Sequence, residues 1–191
     1  MEEPTVLFTE EDIHERVRAL GADIARDYAG KSPILISVLK GSAWFLADLI
    51  KEVDLPLRVD FMSISSYGGG SELTGGVVRI IKDLEQDIGG QDVVLVEDIV
   101  DTGLTLSYLR GALQTREPAS LAVCTLLDKS VRRIAPLEIA YAGFDCPDSF
   151  VIGYGLDFEG YYRNLPYILE VDPRALSSDP LRLAGRLEGA G

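Results

Sequence analysis

A chain of 191 residues, 47% hydrophobic and 26% charged, can enclose one ample core, and its composition is ordinary for a soluble globular protein. Its net charge of −13 argues against a general binder of nucleic acid or anionic membrane, so any anion site must be built locally from backbone N–H groups, a few cations and metal. Cys124 and Cys146 form no CxxC pair and His14 is the single histidine, which argues against a thiol-bound zinc site or a histidine-containing triad. The acidic start, MEEPTVLFTEED, is unlike a secretory or transit peptide, and no apolar stretch approaches membrane-spanning length. A cytoplasmic protein with two small, buried, reduced cysteines is expected.

In chain order, Thr9-Glu10-Glu11-Asp12 resembles a capping box, and Ile13, Val17, Leu20 and Ile24 follow at helical spacing, which predicts a helix over 10–28. The apolar run 33–39 predicts a buried strand, broken by Lys40-Gly41-Ser42. Trp44, Phe45, Leu46, Leu49 and Ile50 suggest a second helix, and 57–65 alternates well enough for another strand. Residues 66–76 carry Gly68, Gly69, Gly70, Gly75 and Gly76 among small polar residues. Such a segment cannot pack a core and reads as a mobile loop. Strands over 77–81, 93–96 and 120–127 and a helix from 104 to 115 follow. One or two strands are expected over 136–154 and a last one over 166–171. From Pro173 onward the chain reads as a frayed tail that can include one helical turn. Strand and helix alternate, which predicts an α/β fold with a right-handed, mostly parallel sheet.

The most informative segment is 93–105, VVLVEDIVDTGLT. An apolar run suited to a strand covered on both faces passes abruptly into Glu97, Asp98, Asp101, Thr102, Gly103 and Thr105. Open α/β sheets bind ligands at such carboxyl ends. Glycine between hydroxyl residues at a helix start offers unpaired N–H groups to a phosphate. Carboxylates beside that seat suit Mg2+ and ribose hydroxyls, so a phosphorylated, metal-carrying substrate is implied.

This segment resembles the phosphoribosyl-pyrophosphate-binding motif of the type I phosphoribosyltransferases. Leu39-Lys40-Gly41-Ser42, Ser66-Tyr67 heading the Gly-rich loop, Lys129 after an apolar strand, and residues 150–157 (FVIGYGLD) followed by Arg163 narrow the resemblance to the hypoxanthine-guanine members. The match runs over about 7–171. It implies one phosphoribosyltransferase domain over 1–173, with a central, mostly parallel twisted sheet flanked by helices. A small hood would come from the N-terminal residues and about 136–171, a flexible lid from 66–76, and a poorly ordered tail from 174–191. Transfer of a phosphoribosyl group from phosphoribosyl pyrophosphate to hypoxanthine or guanine is implied, giving IMP or GMP and diphosphate. So are a Mg2+ cofactor and a homodimer or homotetramer, with neither nucleic acid nor membrane as partner.

The resemblance also assigns roles, each set here against a plainer reading. Glu97 and Asp98 would hold the ribose hydroxyls and the metal; alone they are ordinary strand-end carboxylates. Asp101 would be the general base taking the proton from purine N7, or else only a helix cap. Ile99, Val100, Asp101, Thr102, Gly103, Leu104 and Thr105 would line the ribose and 5′-phosphate, or simply begin a helix. Lys40 and Gly41 would meet pyrophosphate across a cis Leu39–Lys40 peptide, or form a plain strand-to-helix turn. Lys129 would face O6 and N7 of the purine, where a donor-only group disfavours adenine; a lysine there is otherwise a surface residue. Phe150 would stack on the base while the Val151 backbone reads its edge, although both also suit a core. Asp157 would hold a second Mg2+ through water beside the purine, Arg163 would contact pyrophosphate, and Ser66 and Tyr67 would start the lid. Two other classes compete: a regulator that keeps the fold and binds RNA or DNA, and a transferase for xanthine, adenine or uracil. The acidic single domain disfavours the first, and Lys129 and 150–157 disfavour adenine and uracil. Xanthine stays open.

Overall fold

The computed structural model describes residues 4–67 and 77–178. A six-stranded sheet forms from β2 (Ile34–Leu39), β3 (Arg58–Tyr67), β4 (Val77–Lys82), β5 (Asp92–Val100), β6 (Ser120–Asp128) and β7 (Tyr141–Asp145), in the order β4-β3-β2-β5-β6-β7. Every neighbouring pair is parallel except β3 with β4. Because β2 feeds β3 on one side while β5 lies on the other, the strand order reverses between β2 and β5. The crevice beyond the carboxyl ends of such a pair is where open α/β sheets take ligands.

Two-faced burial of the central strands explains their continuous apolar runs. Leu35, Val94, Val96, Cys124 and Leu126 turn to one face, against Ile13, Val17, Leu20 and Ile24 of α1 (Glu10–Asp27) and Phe45, Leu46 and Leu49 of α2 (Ser42–Glu52). Ile34, Ile36, Val93, Leu95 and Val123 turn to the other, against Leu106, Leu109 and Leu113 of α3 (Leu104–Gln114). Each of these side chains contributes about 1.5–3 kcal/mol by leaving water. The expected capping box starts α1: Asp12 N–H donates to Thr9 Oγ1 at 3.1 Å and Thr9 N–H to Asp12 Oδ2 at 2.9 Å. Both cysteines are buried and free.

A second, antiparallel sheet joins β1 (Thr5–Phe8), β9 (Ile168–Val171) and β8 (Phe150–Ile152) in the order β1-β9-β8. The segment expected to form a hood from about 136 is thus divided, since β7 pairs with β6 in the large sheet and only the later strands join the small one. The start of the tail carries the helical turn that the sequence reading allows there. Pro173–Ser178 forms α4, because Leu176 is buried with Ile152, Tyr162, Leu165, Leu169 and Val171. The rest of the expected tail, 179–191, and most of the expected lid, 68–76, lie outside the described residues. Ser66 and Tyr67 contribute backbone to β3, opposite Val78 and Val77. Among the described residues, no helix is long and apolar enough to cross a membrane.

Candidate active site

The apolar run of β5 does not stop where the carboxylates begin. The strand continues through Glu97, Asp98, Ile99 and Val100, four residues past the expected end. Its partner carries it on: β6 pairs through Glu97–Thr125, Ile99–Leu127 and Val100–Asp128, whereas the β2–β5 register ends at Ser37–Val96. The last four residues of β5 are therefore held from one side, and their other side faces a cavity of about 380 Å3. Lys40, Gly41, Glu97, Asp98, Ile99, Val100, Asp101, Thr102, Gly103, Thr105, Asp157 and Arg163 all line it. The sites assigned to ribose, phosphate, pyrophosphate and metal thus converge on one hollow at the β2/β5 crevice.

Backbone packing sets its shape. The Leu39–Lys40 peptide is cis, as the resemblance implies. A Cβ on Gly41 would fall 1.6 Å from Asp98 Oδ2, and one on Gly155 would fall 2.1 Å from the Gly41 carbonyl oxygen. These glycines let the turn after β2, the Asp98 carboxylate and the 153–156 turn come together where a side chain has no room. Gly155 was not singled out by sequence reading, although its place inside FVIGYGLD was the available signal.

Beyond β5 the chain bends through Asp101, Thr102 and Gly103 into α3. Gly103 takes φ +78° at the N-cap, and no side chain caps the helix. Asp101 is therefore not a capping residue; Leu104 N–H makes only a long bond to Thr102 Oγ1, 3.5 Å, at a helix end whose dipole favours an anion. The Leu104 side chain is exposed and outside the cavity lining. Its place in the phosphate set rests on its backbone N–H, 3.5 Å from Thr102 Oγ1.

Electrostatics concentrate at the strand end. Burial pushes the Glu97 carboxyl well above its ordinary range, and the charge of Asp98 adds to this. Asp98 is raised to about 6, first by burial and further by Asp157, against the pull of its bonded Ile99 N–H and of Arg163. Adjacent carboxylates crowded in this way favour a cation or a set of hydroxyl donors. Arg163 pairs with Asp157 at 2.6 Å and donates to the Gly155 carbonyl. Among the described residues, no three His, Cys, Asp or Glu side chains form a closed metal cage. Mg2+ ordinarily keeps several waters and binds through one or two carboxylates plus substrate phosphates. The donors facing the cavity suit that mode.

The purine-side residues stand apart from this hollow. Lys129, Phe150 and Val151 are not in its lining. Lys129 is nonetheless buried, not a solvated surface residue, and its Nζ donates to the Ser149 carbonyl at 2.6 Å. Its backbone N–H donates to Val100 O at 2.9 Å, tying it to the end of β5. Phe150 is 38% exposed and meets Phe158 edge-on at 6.0 Å. Val151 lies opposite Glu170 in the small sheet, its side chain in the core. Sequence reading missed Arg132, whose Nε lies 3.1 Å from Asp101 Oδ1; nothing in a basic pair after Lys129 distinguishes it from surface charge.

The model of the phosphoribosyl transferase domain family matches residues 8–159. A hypoxanthine-guanine phosphoribosyltransferase of Staphylococcus aureus (strain Mu50 / ATCC 700699) is 50% identical over 173 residues, which cover 91% of this chain and 96% of that protein. One from Streptococcus thermophilus (strain CNRZ 1066) is 46% identical over 163 residues, 85% of this chain and 90% of that one. A crystal structure of a hypoxanthine phosphoribosyltransferase from Staphylococcus aureus is similar with a TM-score of 0.86 at 50% identity, covering 90% of this chain and 92% of that chain. Together with these matches, the sheet order and the cavity at its switch point define a type I phosphoribosyltransferase. Within that class, the chain belongs to the hypoxanthine-guanine phosphoribosyltransferase family.

Proposed function

We propose that this protein is a purine-salvage transferase. It moves the 5-phosphoribosyl group from 5-phospho-α-D-ribose 1-diphosphate to N9 of hypoxanthine or guanine, giving IMP or GMP and diphosphate. The observation that carries this reading is the single cavity where Glu97, Asp98, the 101–105 loop, Lys40, Gly41 and Arg163 meet. One sugar phosphate spans those groups.

In this reading Thr102, Gly103, Leu104 and Thr105 cradle the 5′-phosphate with N–H and hydroxyl groups at the start of α3. Ile99 and Val100 wall the ribose, whose 2′ and 3′ hydroxyls lie on Glu97 and Asp98. Lys40, Gly41 and Arg163 receive the diphosphate, and Arg163 exchanges part of its pairing with Asp157 to do so. Glu97 and Asp98 would hold one Mg2+ and Asp157 would help hold a second through water; the metal, when bound, neutralises charge on the leaving diphosphate. Phe150 packs against the base and the Val151 backbone meets its edge. Lys129 donates to O6 and N7, sharing the donors now given to Ser149. Asp101 takes the N7 proton as N9 approaches C1′. Positioning and electrostatics supply most of the catalysis, with Ser66 and Tyr67 at the start of a lid that excludes water. The same reading carries a homodimer or homotetramer, which light scattering measures.

A donor-only lysine leaves the 6-amino group of adenine unmatched, and sites of this kind discriminate by up to about 10⁴–10⁵. Offering hypoxanthine, guanine, xanthine, adenine and uracil with phosphoribosyl pyrophosphate and Mg2+, and following nucleotide formation, tests the reading. IMP and GMP are expected, with adenine and uracil very poor. Rapid AMP formation contradicts the role of Lys129, and RNA binding without turnover contradicts the transferase.

A further inference from the structure

Asp101 is gripped from behind by a segment to which the reaction above gives no work. After Lys129 the chain makes a 3-10 turn, Ser130–Arg132, and fastens itself to the end of β5 and the following bend at successive points. Lys129 N–H donates to Val100 O at 2.9 Å, and the N–H groups of Ile134 and Ala135 both donate to Thr102 O, at 2.9 and 3.2 Å. The Arg133 side chain lies against Gly103, where a Cβ would come 2.8 Å from its Cδ, and is anchored by an ion pair to Asp128. Arg132 N–H closes the turn onto Lys129 O at 3.0 Å. So fixed, Arg132 places its Nε 3.1 Å from Asp101 Oδ1 and 3.6 Å from Asp148 Oδ1.

Two features of this contact bear on catalysis. Asp101 Oδ1 is buried and accepts no hydrogen bond, and Arg132 Nε supplies countercharge to it at ion-pair distance. A buried carboxylate without countercharge is unstable and free to turn. A guanidinium beside Oδ1 supplies the charge and limits the turning. Asp148, in turn, precedes Ser149, whose carbonyl accepts Lys129 Nζ. One arginine thus links the bend that carries Asp101 to the turn that seats the base-recognising lysine.

We propose that Arg132 is a positioning residue that orients Asp101 towards the purine and ties that orientation to the Asp148–Ser149 turn. The proposal deepens the transferase reading and rests on Asp101 as the proton acceptor. A double-mutant cycle of Arg132→Gln and Asp101→Asn, with kcat and both KM values measured, tests it. Arg132→Gln should lower kcat by about tenfold and leave KM for phosphoribosyl pyrophosphate within about threefold. In the Asp101→Asn background the same change should alter kcat by less than about twofold, because the group it serves is gone. Arg132→Lys, which keeps the charge, should recover part of the loss and carries the same cycle should the glutamine variant fail to fold. Equal losses in both backgrounds overturn the proposal, as does a loss confined to KM. Wild-type turnover by Asp101→Asn alone overturns the underlying reading instead, and this proposal with it.

Discussion

The two ends of the site are built by different means. At the end proposed for the sugar phosphate, Lys40, Gly41, Glu97, Asp98 and the 102–105 bend are presented by the turn after β2, the end of β5, a left-handed Gly103 and the first turn of α3. At the end proposed for the purine, Lys129 reaches Ser149, Phe150 meets Phe158, and Arg132 joins Asp101 to Asp148. Every one of those contacts crosses between segments. The first end is shaped mainly by backbone and excluded volume, the second by side chains holding distant turns together. A backbone cradle has few alternative states, whereas a side-chain wall can exchange partners when a base arrives. Damage should therefore separate: changes at the first end should weaken sugar-phosphate binding, and changes at the second should weaken base use.

The largest separation is expected from Gly41→Ala. A methyl group 1.6 Å from Asp98 Oδ2 forces the turn after β2 or the carboxylate to move. Misplacement on that scale should lower kcat/KM for phosphoribosyl pyrophosphate by about a hundredfold or more. Steady-state kinetics that find the loss on hypoxanthine alone contradict the division. Lys129→Gln should do the reverse. Losing a charged, buried donor should raise KM for hypoxanthine by about ten- to a hundredfold, while calorimetric affinity for phosphoribosyl pyrophosphate stays close to wild type. Unchanged use of both 6-oxopurines removes Lys129 from the purine site.

A smaller effect concerns stability. Asp98 is raised from 3.8 to about 6, so the folded state holds its proton more tightly than the unfolded chain does. The stabilisation is complete below the ordinary carboxylate range and is lost as pH rises through about 6, and Glu97 acts in the same direction. Between about pH 4 and about pH 7 the ligand-free wild type should lose thermal stability relative to Asp98→Asn. A difference in Tm that does not change with pH contradicts the crowding at this end of the site.

The same division decided what could be read from the sequence. Glu97, Asp98, Asp101 and Thr102–Gly103–Thr105 were legible because the carboxylates interrupt an apolar run and the glycine sits between hydroxyls. The doubly covered parallel sheet was legible from its strand and helix periods. Where β5 ends was not: its carboxylates look like a terminus, and only the continued pairing of β6 holds Glu97 to Val100 in the strand. Strand β1 escaped notice because its partner β9 is formed at the other end of the chain. The burial of Leu176 that makes α4 a helix likewise depends on β8 and β9. Arg132 and Gly155 act only through neighbours brought together by folding, and local periodicity carries no trace of them.

The central claim is that the β2/β5 crevice holds a sugar phosphate with Asp101 poised over the reacting base. Turnover and phosphoribosyl pyrophosphate affinity measured together on Asp101→Asn test it most directly. The account predicts that kcat falls by about a hundredfold or more while the dissociation constant stays within about threefold of wild type. Wild-type turnover, or loss of sugar-phosphate binding in step with the rate, would contradict it.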